Sequence, residues 1–349
     1  MKILVVGSGG REHAVIRKLA ENPEVTEILC APGNGGIAAY ARCVNVKATD
    51  LAGMTDLAVK EQVDFCVVTP DDPLALGMVD ALEEKGIPCF GPRKNAAIIE
   101  ASKAFSKQLM KKYGIPTASY EIMDDPEKAI AYIKERNSFP AVIKADGLAL
   151  GKGVLIAKDM AEAEAAVREL MVDKAFGDSG SQVVIEEFMT GPEVSVLAFT
   201  DGNVIRPMVS SMDHKRANDN DEGLNTGGMG TIAPSPFFTR EIAERCMKEI
   251  FVPTMNAMNA EGRTFKGCLY FGLMLTPAGP RVVEYNCRFG DPETQVVLPL
   301  LKSDLFTIMK ACHDGTLADI DIAWSSDCAA CVIEASGGYP EKYQKGYEI

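Results

Sequence analysis

Three polar side chains on alternate residues of one apolar segment carry the most specific chemistry in this sequence. In Arg281-Val282-Val283-Glu284-Tyr285-Asn286-Cys287-Arg288-Phe289-Gly290-Asp291-Pro292-Glu293, strand periodicity predicts Glu284, Asn286 and Arg288 on one face and Val283, Tyr285 and Cys287 on the other. A carboxylate beside an amide oxygen suits magnesium, a hard cation that takes oxygen ligands and shares them with phosphate. An arginine one step further is placed to grip a transferring phosphoryl group. A half-exposed polar strand face would explain the polarity, but not a ligand pair followed by a cation. If Arg288 served only to order its loop, Asp291 would be its expected partner.

A second set is cationic. The run from Phe139 to Ile143 ends on Lys144 and leads into Ala145-Asp146-Gly147-Leu148-Ala149-Leu150-Gly151-Lys152-Gly153. Its glycines and second lysine make a loop able to close over phosphates, although a flexible turn with a solvent-facing lysine would look alike. It is not a P-loop: too few residues separate Gly147 from Gly151, and Gly153 stands where Ser or Thr is required. Further on, Glu186 and Glu187 close an apolar strand ending at Phe188. Adjacent strand residues point to opposite faces, so one acid points inward and needs hydrogen-bond donors. The amino group and ribose hydroxyls of a bound adenosine would supply them, with Glu193 a short turn away.

A third set lies at the start of the chain. Gly7-Ser8-Gly9-Gly10-Arg11-Glu12-His13 follows the first strand and opens a helix, where backbone N–H groups and the helix dipole favour an anion. The third glycine of a dinucleotide fingerprint would fall on Glu12. The ribose-binding acid expected after the second strand is also missing from Cys30-Ala31-Pro32-Gly33. Both departures count against NAD. A bare packing turn would need neither Arg11 nor His13.

These residues must be held by elements. Ile3–Val6, Glu27–Cys30, Asp64–Thr69 and Ile87–Phe90 read as strands, with helical spacing at Val15, Ile16, Leu19 and Ala20 and at Leu74, Met78, Val79 and Leu82. That alternation predicts a doubly wound parallel sheet. A helix to Tyr113 stops at Gly114 and Pro116. A helix over Asp125–Arg136, a strand over Ala141–Ala145, a helix over Ala161–Met171 and a strand over Val183–Phe188 follow. Antiparallel hairpins are then predicted around Asp201-Gly202-Asn203 and around Pro277–Pro280. The fold class is therefore α/β: an N-terminal doubly wound parallel-sheet domain followed by a mixed α+β domain.

Composition excludes several classes. The 349 residues are 47% hydrophobic and 24% charged, as in ordinary globular chains, with a formal net charge of -13 that repels nucleic acid and anionic lipid. Any anionic ligand must be held by a local basic site. No long uncharged apolar run suggests a membrane span, and the apolar run after Met1-Lys2 is too short for a signal peptide, so a cytoplasmic protein is expected. The ten cysteines then read as reduced thiols, and Cys328 and Cys331, without a second pair, support no zinc site.

As an ordered series these stretches resemble the ATP-grasp superfamily, and within it the glycinamide ribonucleotide synthetase family. The matching motifs are VVGSGGREHA, APGNGG, FGP with SKAF, IKADGLALGKGV, IEEFMTGPEVS, DHKRANDNDEGLNTGGMG and VEYNCRFGDPETQ, spanning nearly the whole chain. The resemblance implies ATP-dependent joining of glycine to 5-phosphoribosylamine, giving glycinamide ribonucleotide, ADP and phosphate through a glycyl phosphate, in purine biosynthesis. It places Lys103, Lys144 and Lys152, with Gly147, Gly151 and Gly153, on ATP. Glu186 and Phe188 would meet the adenine through the hinge backbone, and Glu187 or Glu193 the ribose. Glu284 and Asn286 would hold Mg2+ or Mn2+. Gly9, Gly10, Arg11, Glu12, His13, Asn34, Asp71, Asp72, Asp213 and Asp291 would serve the glycine and phosphoribosylamine pockets. Arg288, Lys215 and Lys152 would carry the catalytic charge.

Three departures accompany the resemblance. Thr69-Pro70-Asp71-Asp72 stands where the family shows Gly-Pro-Glu, and Tyr270–Leu273 lacks the additional metal-binding Glu of many relatives. The family also continues into a further C-terminal domain, which Gly337–Pro340 resembles at its start. The expected domains are 1–102, 103–312 (with a nucleotide-binding lobe over about 118–191) and the beginning of a small domain over 313–349. Two other readings stand beside this one: a non-catalytic ATP-binding or assembly module, and an NAD-dependent oxidoreductase. Partners would be small molecules, with no nucleic acid and no membrane. Nothing in the sequence sets the oligomeric state; a monomer is one reading.

Overall fold

The structure is a computed structural model and describes residues 1–148, 153–173 and 177–347. The N-terminal strands β1 (Lys2–Gly7), β2 (Glu27–Pro32), β3 (Arg42–Cys43), β4 (Phe65–Val68) and β5 (Cys89–Phe90) form one parallel sheet in the order β3-β2-β1-β4-β5. Helices α1 (Gly10–Leu19), α2 (Leu51–Lys60), α3 (Asp71–Leu76), α4 (Met78–Glu83) and α5 (Lys94–Ala101) accompany it. Alternate residues of β1 enter two different cores, Leu4 and Val6 in one and Ile3 and Val5 in the other, which is why the strand is apolar throughout. The helix expected across Leu74–Leu82 is two helices: Gly77 adopts φ +100 and ends α3 in a left-handed cap.

Helix α6 (Lys103–Tyr113) is capped by Ser102, whose side chain accepts from Phe105 N, and stops at left-handed Gly114. A four-stranded antiparallel sheet follows, β6 (Tyr120–Met123), β7 (Ala141–Ala145), β8 (Val154–Ala157) and β9 (Val183–Glu187), in the order β6-β9-β7-β8. It has a core of its own, in which Ile143 and Ile185 meet Ala163 and Leu170.

Strands β10 (Glu193–Thr200) and β11 (Ile205–Pro207) form the first predicted hairpin. Asp201 fixes its turn by accepting from Asn203 N and Val204 N at 2.8 and 2.9 Å. Strands β12 (Met212–Asn218) and β13 (Glu222–Ala233) pair antiparallel and were not predicted, because their charged and glycine-rich residues show no apolar alternation. The second predicted hairpin is β14 (Gly267–Thr276) and β15 (Gly279–Asn286), which completes the sheet β11-β10-β14-β15; β16 (Ala329–Val332) adds to β13. Phe289, just beyond β15, packs its ring 5.9 Å from Phe90 and 6.0 Å from Phe199, joining the parallel sheet to the antiparallel one. Among the described residues no helix is long and apolar enough to cross a membrane.

The predicted face of β15 needs one correction. Glu284 pairs with Gly272 but Val282 pairs with Leu273, so Val283 is an extra, bulged residue. Val282, Tyr285 and Cys287 are buried, and Val283 is not. Glu284 and Asn286 still share a side, but the strand ends at Asn286 and Arg288 belongs to the following loop.

Candidate active site

Glu284 faces Gly272 on β14. A Cβ there would lie 3.2 Å from Glu284 Cγ, so the glycine leaves room for the carboxylate. Burial alone would raise the pKa of Glu284, but Lys215, Lys144, Lys103 and Arg288 hold it below the usual carboxylate range. Asn286 donates its Nδ2 to Tyr285 O at 2.9 Å, and among the described residues its amide oxygen accepts no hydrogen bond. Among the described residues there is no cluster of three or more His, Cys, Asp or Glu suited to a metal. An ionised carboxylate and an amide oxygen nevertheless fit a magnesium-type ion, which takes its other ligands from phosphate and water.

Lys215 of β12 is ion-paired with Glu193 of β10 beside this carboxylate. Burial opposes its charge, yet Glu193, Asp213, Tyr270 and Glu284 hold its pKa well above the ordinary lysine value. Asp213 is pushed up, first by burial and then by Glu193 and Glu284 against the charge of Lys215. Glu293 is buried, and its Oε1 accepts from Tyr270 OH at 3.2 Å and Ser195 Oγ at 3.3 Å. Burial, then the charge of Asp213, pushes its pKa up to about 7. Strand Tyr270–Leu273 has no acid of its own, but Glu293 sets one against Tyr270. The sequence reading gave Glu293 no role.

Beside these groups, with Lys144 Nζ donating to Val283 O at 3.3 Å, lies a buried triad. Glu186 Oε2 is 2.9 Å from Lys107 Nζ and Oε1 is 3.0 Å from Lys144 Nζ; these residues are 2%, 2% and 5% exposed, respectively. The expectation that a nucleotide supplies the donors for Glu186 is therefore corrected. A carboxylate this buried must be neutralised by the fold itself, and two lysines do it. Lys107 was missed by sequence reading, although it stands one helical turn beyond Lys103 on α6. Its ammonium also donates to Thr117 Oγ1 at 2.7 Å, and burial with the nearby charge of Lys144 pushes its pKa down to about 8 against the pull of Glu186.

Lys103 donates to Gly147 O at 2.7 Å, and burial lowers its pKa while Glu284 works against that. Asp146 ties the same loop to the start of α6 by accepting from Ala104 N at 3.0 Å and Ser102 Oγ at 3.2 Å. Gly153 O accepts from Ala145 N at 2.8 Å. Gly151 and Lys152 lie outside the described residues.

Glu187 points the other way from Glu186, as strand alternation predicts, and binds Arg281 Nη1 and Ser119 N, both at 2.9 Å. Burial would raise its pKa, but these partners lower it. Phe188 is exposed. Glu193 is ion-paired with Lys215.

The first glycine loop closes on itself. Glu12 is buried, accepts from Gly9 N at 2.5 Å and pairs with Arg11 Nε at 2.7 Å. Gly7, at φ +125, lets the Glu12 side chain lie against its backbone, where a Cβ would come within 2.6 Å of Glu12 Cγ. An acid thus fills the space that a dinucleotide-binding loop keeps open.

Arg11 reaches Phe289 O with Nη1 at 3.1 Å, and its backbone N–H meets Asp291 Oδ2 at 3.3 Å. Asp291 also accepts from Gln295 Nε2 at 2.5 Å, a side chain that packs against Gly10. The partner of Arg288 is not Asp291 but Glu100 of α5, with Nη2 3.0 Å from Oε1, while Cys287 N donates to Glu100 Oε2 at 2.7 Å. Burial and then Asp71 push Glu100 up, opposed by Arg288. Asp72 is likewise raised by burial and by Asp71. His13 and Asn34 meet over Gly36, and Asn34 donates to Ser8 O at 2.8 Å. Glu100 carried no sequence signal beyond being an acid in an apolar helix.

The family model described as the N domain of phosphoribosylglycinamide synthetase matches residues 1–100, and that of its ATP-grasp (A) domain matches 101–294. A phosphoribosylamine–glycine ligase of Caldanaerobacter subterraneus is 46% identical over 349 residues, covering 100% of this chain and 84% of the relative. That of Allochromatium vinosum is 48% identical over 352 residues, covering 100% and 82%. The crystal structure of a phosphoribosylamine–glycine ligase from Thermotoga maritima superposes with a TM-score of 0.85 at 32% identity, covering 99% of this chain and 83% of that one.

Proposed function

The chain belongs to the phosphoribosylglycinamide synthetase family, and from that premise we propose that the cleft between the Lys107–Glu186–Lys144 triad and Glu284 holds ATP. The reaction is the ATP-dependent joining of glycine to 5-phosphoribosylamine in purine biosynthesis. The relatives support neither the oxidoreductase nor the non-catalytic reading. One observation carries the assignment of the cleft: Lys103, Lys144, Lys215 and Arg288, from α6, β7, β12 and the loop after β15, converge electrostatically on Glu284. The positive charge comes mainly from Lys103 and Lys144, since Lys215 is paired with Glu193 and Arg288 with Glu100, and it suits a polyphosphate against a chain whose net charge is -13.

Lys103 and Lys144 take the phosphates, the hinge backbone at Glu186–Phe188 the adenine, and Glu187 or Glu193 the ribose. Glu284 and Asn286 hold Mg2+ or Mn2+, which when bound offsets phosphate charge. A carboxylate is a poor electrophile. Transfer of the γ-phosphoryl group to glycine makes an acyl phosphate, which the amine of phosphoribosylamine attacks with no protein nucleophile. The work of the protein is positioning and charge stabilisation. Arg288, oriented by Glu100, and Lys215, between Glu193 and Asp213, supply that charge. The phosphoribosyl group lies toward Gly9–His13, Asn34, Asp71 and Asp72, with Asp213 and Asp291 facing the joining partners. The substrates are soluble metabolites, and we place the enzyme in the cytoplasm.

ADP formation by the purified chain tests this reading. It should require ATP, a divalent cation, glycine and phosphoribosylamine together. ADP release indifferent to glycine and the amine would overturn it.

A further inference from the structure

Glu186 divides its two oxygens unequally. Oε2 is hydrogen-bonded by Lys107, whereas among the described residues Oε1 has no hydrogen bond and meets Lys144 Nζ as an ion pair at 3.0 Å. Lys144 spends a weak hydrogen bond on Val283 O at 3.3 Å, while Lys107 is fixed by Thr117 Oγ1 at 2.7 Å, which in turn donates to Val282 O at 2.7 Å. We infer that Lys107 is a positioning residue for ATP: by taking the hydrogen bond and half the charge of Glu186, it leaves Lys144 free and cationic for the nucleotide.

The charge count explains why a second lysine is needed. A buried Lys144–Glu186 pair alone would be neutral and locked, and would offer a phosphate little. Two lysines on one carboxylate leave a single positive charge, and the weaker-held lysine is the one that can present it. The inference rests on the reading that ATP fills this cleft.

The groups facing Lys107 are Glu186 and Glu187 on β9 and Lys144 on β7, with the Tyr120 ring of β6 at 6.0 Å and Lys111 of α6 over the same ring. On β15, Arg281 is taken by Glu187 and Glu284 lies among the cations of the other end; on α5, Glu100 is taken by Arg288. The packed helix Val252–Ala260 carries no charged residue. With its pKa lowered to about 8, Lys107 is charged below that pH and loses its charge above it.

The test measures KM for ATP and for glycine, with melting temperature, on the full chain. Lys107→Met should raise KM for ATP on the order of ten-fold, leave that for glycine unchanged, and be largely rescued in Lys107→Met/Glu186→Gln, which restores a lone cation at Lys144. In the wild type, KM for ATP should climb as the pH passes about 8, a limb the Lys107→Met enzyme lacks. A wild-type ATP KM in Lys107→Met, or a double variant no better than the single, overturns the inference. Should the variant fold poorly, Lys107→Gln in the same assay decides: a wild-type KM for ATP in that variant overturns the inference. Absence of glycine- and amine-dependent ADP formation in the wild type would sink the functional reading and this inference together. Normal wild-type turnover with an unaltered Lys107→Met sinks the inference alone.

Discussion

At the β9 end of the cleft a single buried acid lies between two lysines, whereas at the β15 end Glu193, Asp213, Glu284 and Glu293 gather around Lys215. The first arrangement is closed by its own ion pairs and retains one positive charge. The second holds more acid than its lysine can neutralise; burial and then that surplus raise Asp213 and Glu293, even as the surrounding cations hold the pKa of Glu284 down. The lysine pair of the first suits a polyphosphate and the acids of the second a divalent cation, in keeping with the ATP site proposed above.

The largest effect should come from breaking the acidic end. Glu284→Gln should lower kcat by on the order of 10³ across a magnesium titration, with the melting temperature kept. Full activity at limiting magnesium in that variant would remove the metal from Glu284.

Arg288→Lys should follow, with a fall in kcat of about 10² and little change in ATP affinity, because a lysine cannot hold Glu100 and a phosphoryl oxygen with one planar fork. Glu100→Gln should lose less, since the guanidinium remains but is less firmly aimed. Near-normal kcat in Arg288→Lys would reduce the Arg288–Glu100 pair to a loop anchor.

A smaller effect should sharpen the contrast between the two sides of the molecule. Lys144→Ala should weaken ATP binding by about ten-fold and leave binding of the product glycinamide ribonucleotide nearly unchanged, as calorimetry would read. Equal losses for both ligands would mean that the cationic end is not dedicated to the nucleotide.

The smallest effect concerns stability. The folded pKa of Glu293, about 7, lies above the ordinary glutamate value of 4.5, so the folded state binds the proton more tightly than the unfolded one. Its contribution is favourable at low pH and is lost as the pH rises from about 4.5 to 7, where the carboxylate must ionise while buried. Glu293→Gln should therefore raise Tm by a few degrees at pH 8 and leave it unchanged near pH 4. An equal shift at both pH values would show that packing, not charge, sets the effect.

Much of this site was legible in the chain itself. The apolar run of β1, the stop at Gly114, the opposite orientations of Glu186 and Glu187, and the shared side of Glu284 and Asn286 all follow from local periodicity and turn chemistry. The glycine loop that rejects a dinucleotide is equally local, since Glu12 caps the helix that it opens. The β12–β13 hairpin escaped detection because polar strands held by a neighbouring sheet carry no apolar alternation of their own.

What the sequence determined was the set of chemical groups and the face of each element on which they stand. What only the tertiary structure decided was who neutralises whom. Lys107 meets Glu186 across 79 residues, Glu100 meets Cys287 N across 187, and Arg288 lies in the loop beyond the strand that was to aim it. The physical reason is the range of the forces. Periodicity is fixed by neighbouring backbone dihedrals, whereas the cost of burying a charge is met by whichever opposite charge the packed elements bring close, wherever it lies in the chain.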